Sequence, residues 1–301
     1  MISTPSLDLY TNACNDAASV VISAYSTSFG AAVRLLGSRH RQHVRNVYAL
    51  VRIADELVDG VATEAGINET GQLHELDELE SRTYEAITLG YSSDAIVHAF
   101  AVTARSCGIE KEIITPFFQS MRTDISSESL DFNNDTKVRS FTTEEHSEYV
   151  YGSAEVIGLM CLRIFMRDSK VSEDERTQLE NSAKQLGAAF QNINFLRDLK
   201  DDSKRLGRDY LGAEKQLTDA QRLAWIEEIN MQIVTAETAL PILPKDARRA
   251  VRCALEFFKA LTHRLEKTSA SQLYERRIRV PNPIKFALVA KASAQTILER
   301  A

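Results

Sequence analysis

The chain has 301 residues, near the upper limit for one hydrophobic core, and its 44% apolar and 26% charged residues exclude disorder, collagen-like repeats and a fibrous rod. Twelve glycines and six prolines are about half the average usage, too few for the turns of an all-β sandwich or barrel. Lys and Arg number 36 against 42 Asp and Glu, a net charge of −6, so no global positive field attracts nucleic acid or an anionic bilayer.

In chain order, Val44, Val47, Leu50, Val51, Ala54 and Val58 repeat at three- and four-residue steps and predict a helix over 42–58. The acidic run 75–80 reads as a solvated helix face. Thr115 before Pro116 reads as an N-cap with proline at the first helical position, and residues 124–139, rich in Asp, Ser and Asn, read as a loop. Capping-box spacing at Thr142–Glu145, Ser172–Glu175 and Thr218–Gln221 marks three further helix starts. The most apolar stretch, 154–166, is interrupted by Glu155 and Arg163, so no run of about 18 apolar residues is expected to cross a membrane. Ala250, Val251, Ala254, Leu255, Phe258, Leu261 and Leu265 predict a helix over 245–266, and RRIRVPNPIKF at 276–286 packs four basic residues around two prolines. No linker and no solenoid repeat interrupts the pattern. The expectation is an all-α protein of roughly ten helices, a single domain over 1–301. Four scattered cysteines and no leader sequence predict a reducing cytoplasm, with the thiols acting as small buried hydrophobes.

Two segments carry chemistry. On a helix, Arg45, Tyr48, Arg52, Asp55 and Asp59 fall within about 80° of one another, and so do Gln191, Asn194, Asp198 and Asp202, with Arg197 adjoining. One such stripe alone would read as solvent-facing Arg–Asp pairs. Two DxxxD helices in one chain suggest a facing pair, whose oxygen-only ligands suit a hard cation such as Mg²⁺ with phosphate completing the shell, the arginines binding diphosphate oxygens. No Glu-x-x-His, Walker A, GxGxxG or GxSxG sequence is present, and His40 with His43 reads as a surface pair.

With YSTSF at 25–29, YVYGSAEVIGLM at 149–160, GRDYL at 207–211 and RRIRVP at 276–281 added to the two Asp-rich segments, the chain resembles the head-to-head trans-prenyl synthases, the squalene and phytoene synthases, over nearly its whole length. The resemblance implies the isoprenoid synthase fold, an all-α single-domain helical bundle with a central active-site cavity. It also implies Mg²⁺ (or Mn²⁺) held by Asp55, Asp59, Asn194, Asp198 and Asp202, and diphosphate contacts from Tyr25, Ser26, Ser28, Arg45, Gln191, Arg277 and Arg279. Catalytic roles fall to Tyr48, Arg52, Tyr149 and Arg197. Tyr25 and Thr27 stand where many relatives carry histidine and lysine, Glu155 where glycine is frequent, and Phe257-Phe258 near an expected tyrosine.

The implied reaction is condensation of two geranylgeranyl diphosphates through prephytoene diphosphate to phytoene, releasing two diphosphates, as in carotenoid biosynthesis. No NADPH is expected for that outcome. The alternatives are a squalene or dehydrosqualene synthase using farnesyl diphosphate, or a non-catalytic assembly factor, against which both intact DxxxD motifs argue. Val156, Ile157, Leu159 and Met160 have tunnel walls as a second role beside core packing. Expected partners are the prenyl diphosphates and, for release of an insoluble product, a transient, salt-tolerant membrane contact through apolar residues at the tunnel mouth, with the enzyme cytoplasmic or peripheral at the inner face.

Overall fold

The computed structural model describes residues 5–26, 28–125, 139–201, 208–211 and 216–298. The fold is all-α. In chain order the helices are α1 (Pro5–Tyr25), α2 (Ser28–Arg34), α3 (Ser38–Val58), α4 (Val61–Glu64), α5 (Glu69–Leu89), α6 (Ala95–Cys107) and α7 (Lys111–Ile125). They continue with α8 (Thr143–Val150), a π-helical turn (Tyr151–Glu155), α9 (Val156–Met166), α10 (Glu173–Asp201), α11 (Asp219–Glu237), α12 (Lys245–Glu266), α13 (Ala270–Leu273) and α14 (Asn282–Leu298). Among the described residues the extended pairing is one short parallel bridge, Arg139–Ser140 with Arg208–Asp209.

Local sequence accounts for the helix starts. The Thr142 and Thr218 capping boxes both form, and Ser172 exchanges hydrogen bonds with Glu175 ahead of α10. The Pro116 expectation fails: α7 begins at Lys111 and holds Pro116 in its interior. Buried Ile113 and Ile114 anchor its first turn, and the Thr115 hydroxyl meets the Tyr84 hydroxyl at 2.8 Å instead of capping. The acidic face of α5 behaves as expected, with Asp77 and Glu80 accepting from Arg122 of α7. Residues 126–138 of the expected loop lie outside the described residues.

The expected surface pair of histidines is also corrected. His40 is fully buried, its Nδ1 3.1 Å from the Ile164 carbonyl and its Nε2 3.3 Å from Asp246, and half-buried His43 meets the Thr103 hydroxyl at 3.0 Å. Helix packing encloses this side of α3, so the imidazoles serve as interior hydrogen-bonding groups. A third correction concerns the apolar stretch. The continuous helical run Thr143–Met166 is long and apolar enough by composition to cross a membrane, yet it packs in the protein interior against α3, α7 and α10. A Cβ on Gly152 would meet the Pro116 carbonyl at 2.3 Å, and one on Gly158 the Ala183 carbonyl at 2.4 Å, so neighbouring backbones press directly on it.

Helix directions follow from these contacts. His40 near the start of α3 meets Ile164 and Phe165 at the end of α9, so the two run antiparallel. Gly158 abuts Ala183, Gly187 abuts Ala154, and Arg163 bonds Glu180, so α10 also runs antiparallel to α9. Helices α3 and α10 are therefore parallel, with His40 and Glu180 at one level. Asp55 and Phe195 each lie fifteen residues farther on, about 22 Å, at the other end. Gly37 donates to the Asp246 carbonyl at 3.0 Å, so α12 starts at the His40 level and ends at the Asp55 level.

Burial lowers His43 to about 4 from an ordinary 6.5, with Arg167 and His40 adding to the effect and Asp168 opposing it. Between those values the unfolded chain binds a proton that the folded chain refuses, so stability is full above about 6.5 and is lost as pH falls toward 4. Melting temperature should decline over this window, and a His43→Gln variant should give a flatter curve in the same pH series.

Candidate active site

Helices α3, α9, α10 and α12 enclose an apolar cavity whose walls include Val44 and Val51 of α3, Ile157 and Cys161 of α9, Leu186 and Phe190 of α10, and Val251 of α12. Leu36, Phe165, Leu179 and Leu243 close its far end near the His40 level. Of the four residues expected as walls, Ile157 lines the cavity, whereas Val156, Leu159 and Met160 pack in the core.

The same helix faces turn polar beyond the cavity. On α3, Val51 is followed one turn later by Asp55, and on α10, Phe190 is followed at four-residue steps by Asn194 and Asp198. No residue of α3 from His40 to Val58 is solvent-exposed, nor any of α10 from Ser182 to Lys200. Neither stripe is thus an ordinary solvated face. Both come to one end of one cavity at the same level.

Arg52 is the hub of the α3 side. It bonds Asp55 at 2.7 Å and makes a close ion pair with Glu56, while its guanidinium carbon lies 4.5 Å from the ring centre of Tyr25 at the end of α1. Its Nε is buried without a hydrogen-bond partner. Burial raises the Tyr48 phenol above its ordinary range, with Arg52 and a hydrogen bond between Tyr48 and Ser26 pulling the other way, so at neutral pH it remains protonated. Arg45 stands apart, ten residues or about 15 Å down α3 from Asp55. It donates to the Ser19 hydroxyl at 3.3 Å, and burial, with Arg41 and Arg34 nearby, lowers its pKa. Asp59 is the C-cap of α3. The Ser28 side chain and Asp202 lie outside what is described.

On the α10 side, Asp198 is gripped by its neighbour Arg197 and by Arg277, whose Nε stands 2.7 Å from the carboxylate. Gln191 is half-buried about two turns below Asp198, and Arg279 is exposed. Tyr149 is 7% exposed, and its hydroxyl donates to Asp124 at 2.8 Å. Tyr210 donates to the other oxygen of the same carboxylate, and its ring stacks on Phe195. Asp124, Tyr210 and Glu56 were missed by sequence reasoning. Glu56 could have been found from its i,i+4 spacing to Arg52, whereas nothing local links Asp124 to tyrosines 25 and 86 residues away. Burial raises the half-buried Glu155 carboxyl, with Lys184 partly offsetting.

The donors fit a hard cation in kind. They are oxygen ligands, and the Asn194 amide oxygen is buried with no hydrogen-bond partner, an uncompensated cost that a bound cation or ligand would relieve. Among the described residues no three His, Cys, Asp or Glu side chains converge closely enough to hold a metal by themselves.

Residues 22–283 match the squalene/phytoene synthase family model. The chain is 25% identical to the 15-cis-phytoene synthase of Enterobacter agglomerans over 91% of this chain and 93% of that protein. A dehydrosqualene synthase crystal structure superposes with a TM-score of 0.73 at 21% identity, covering 98% of both chains. Squalene synthase HpnC from Alicyclobacillus acidocaldarius superposes at 0.69 with 16% identity, over 90% of this chain and 97% of that one. At those identities the two structures speak for the fold.

Asn194→Leu is expected to melt no lower than wild type, because it deletes a buried oxygen that costs about 1–3 kcal/mol unpaired. Asn46→Leu should melt clearly lower, since its amide bonds Asn15, Ala99 and Thr103. Melting curves of the two variants side by side separate a site asparagine from a structural one.

Proposed function

As the chain belongs to the squalene/phytoene synthase family and is a prenyltransferase, we propose that it condenses two geranylgeranyl diphosphates head to head, through prephytoene diphosphate, to phytoene with release of two diphosphates. The observation that carries this reading is the pair of parallel helices whose carboxylates, arginines and unpaired amide oxygen meet at one end of a shared apolar cavity. The diphosphates lie at that polar end and the hydrocarbon tails below it.

In the resting site Arg52, Arg197 and Arg277 are balanced by Asp55, Glu56 and Asp198, so their guanidinium groups can turn toward diphosphate oxygens without leaving a buried charge bare. Asp55, Asp59, Asn194, Asp198 and Asp202 would hold Mg²⁺, which when bound neutralises the leaving diphosphate. Protonated Tyr48 donates toward the reacting end. Aliphatic walls exclude water that would capture a carbocation, and the stacked Phe190–Phe258 pair offers a π face to it, so phenylalanine stands where a tyrosine was expected. Phe257 faces away, packed with Cys253 and Ala292. No step needs NADPH.

The reach from the acidic end of α10 to the far end of the cavity accommodates a C20 tail as well as a C15 one. Leu179 lies nineteen residues, about 28 Å, from Asp198 along α10. An extended C20 chain needs about 19 Å and a C15 chain about 14 Å. With about 5 Å below Asp198 given to diphosphate, the C20 tail ends beside Cys161 and the C15 tail stops about one turn short.

Incubation with each prenyl diphosphate and Mg²⁺, followed by product analysis, is expected to yield phytoene from the C20 substrate, and a dominant C30 product would favour the farnesyl alternative. Cys161→Phe should lower kcat/KM for the C20 substrate on the order of tenfold or more while changing the C15 value much less. Asp55→Ala and Asp198→Ala should each reduce turnover at least about a hundredfold and alter its Mg²⁺ dependence while remaining folded. Near wild-type turnover in both, with unchanged Mg²⁺ dependence, would overturn the assignment of these carboxylates, whereas no turnover of either prenyl diphosphate by the wild-type chain would leave the assembly-factor reading.

A further inference from the structure

The segment 276–280 runs extended past the polar end of the cavity, where Arg277 reaches Asp198. Its side chains alternate: Ile278 and Val280 are buried and anchor it, which turns Arg277 and Arg279 outward. Together with Arg264, Lys267 and Arg276, all exposed, they line a surface groove whose wall contains no carboxylate. The nearby acids are Asp198, paired with Arg277 and Arg197, Glu266, held by His263 at 3.4 Å, and exposed Glu275.

Helix α14 begins where this segment ends and returns antiparallel along α12. Lys291 bonds Glu256 at 2.6 Å and Arg252 bonds Thr296 at 2.8 Å, which brings the first turn of α14 beside His263 and Arg264. Leu288, Val289 and Ala292 face Cys253 and Phe257. In that first turn, however, Phe286 is 76% exposed and Ile284 39% exposed. A large aromatic side chain and a cluster of cations therefore share one rim, at the level of Asp55 and Asp198.

We propose that this rim, formed by the basic groove and the first turn of α14, docks on a bilayer carrying anionic headgroups. Charge complementarity commits the occupant: the groove presents cations within about a Debye length of one another, and Phe286 and Ile284 supply what enters the acyl boundary. The net charge of −6 belongs to the chain as a whole and does not exclude a local basic cluster. The contact is thereby salt-sensitive, unlike the salt-tolerant apolar contact that composition implies. It rests on the proposed reaction in one respect: a C40 product leaving the cavity mouth at this rim would pass into lipid without crossing water.

The test is partition of the full-length protein, without substrate, onto vesicles of phosphatidylcholine alone or mixed with phosphatidylglycerol, at low and high salt. Binding should require phosphatidylglycerol and fall with salt. The combined variant Arg264→Gln, Lys267→Gln, Arg276→Gln should weaken it on the order of a hundredfold, Phe286→Ser should weaken it severalfold, and Lys170→Gln with Arg176→Gln at the opposite end should not. Equal binding to both vesicles, or no effect of the combined variant at unchanged melting temperature, overturns the proposal. So does release from vesicles by inorganic pyrophosphate under conditions where chloride of equal ionic strength has no effect, which would make the groove a free-anion site. If the combined variant fails to fold, the lipid and salt dependence of the wild-type protein decides. Vesicle binding by a chain that makes no C40 product would sink the reaction and spare this surface, and lipid-indifferent binding by an active enzyme would do the reverse.

Discussion

Everything in this structure depends on bringing the carboxylates of two long helices to the same end of one apolar cavity. Like charges brought together out of water repel and lose hydration, so the arrangement exists only because cations share the enclosure. Arg52 serves Asp55 and Glu56, and Arg197 and Arg277 both serve Asp198. The site rests as a set of neutralised pairs. Asn194 keeps its oxygen unpaired among them, a cost that makes sense at a position kept for a ligand.

The parallel course of α3 and α10 makes this possible, and it is set by α9 between them. The central helical run is thin where it must be: Gly152 and Gly158 let α7 and α10 press against it, and Gly187 of α10 returns the contact against Ala154. The Tyr151–Glu155 segment takes a π-helical turn at the place where this packing meets the cavity wall. Such bulges mark points where side chains are re-aimed, and here Ser153 and Ala154 line the cavity. Small residues thus create both the close packing and the space beside it.

A second polar assembly, Asp124 with Tyr149 and Tyr210, lies next to Phe195 at the same end. It satisfies a buried carboxylate from both sides and fixes the chain at Tyr210 close to the acidic end of α10. The basic segment 276–280 approaches from α12, so charge of both signs converges on one rim. The acidic residues and the basic segment meet there because α3, α10 and α12 all run toward that end of the cavity.

Much was legible in sequence because it follows from short-range chemistry. Helical periodicity, capping boxes and scarce glycine and proline determined an all-α chain, and the two DxxxD stripes determined which faces would carry charge. Pro116 within α7, the buried His40 and the interior packing of Thr143–Met166 were decided by tertiary contacts that override local preference. So were Asp124 and its tyrosines, which no spacing connects. Sequence alone also left each acidic helix free to be a solvated face. Parallel packing about α9 removed that freedom, because once both faces were enclosed at one level, their carboxylates needed the neighbouring arginines to compensate the charge.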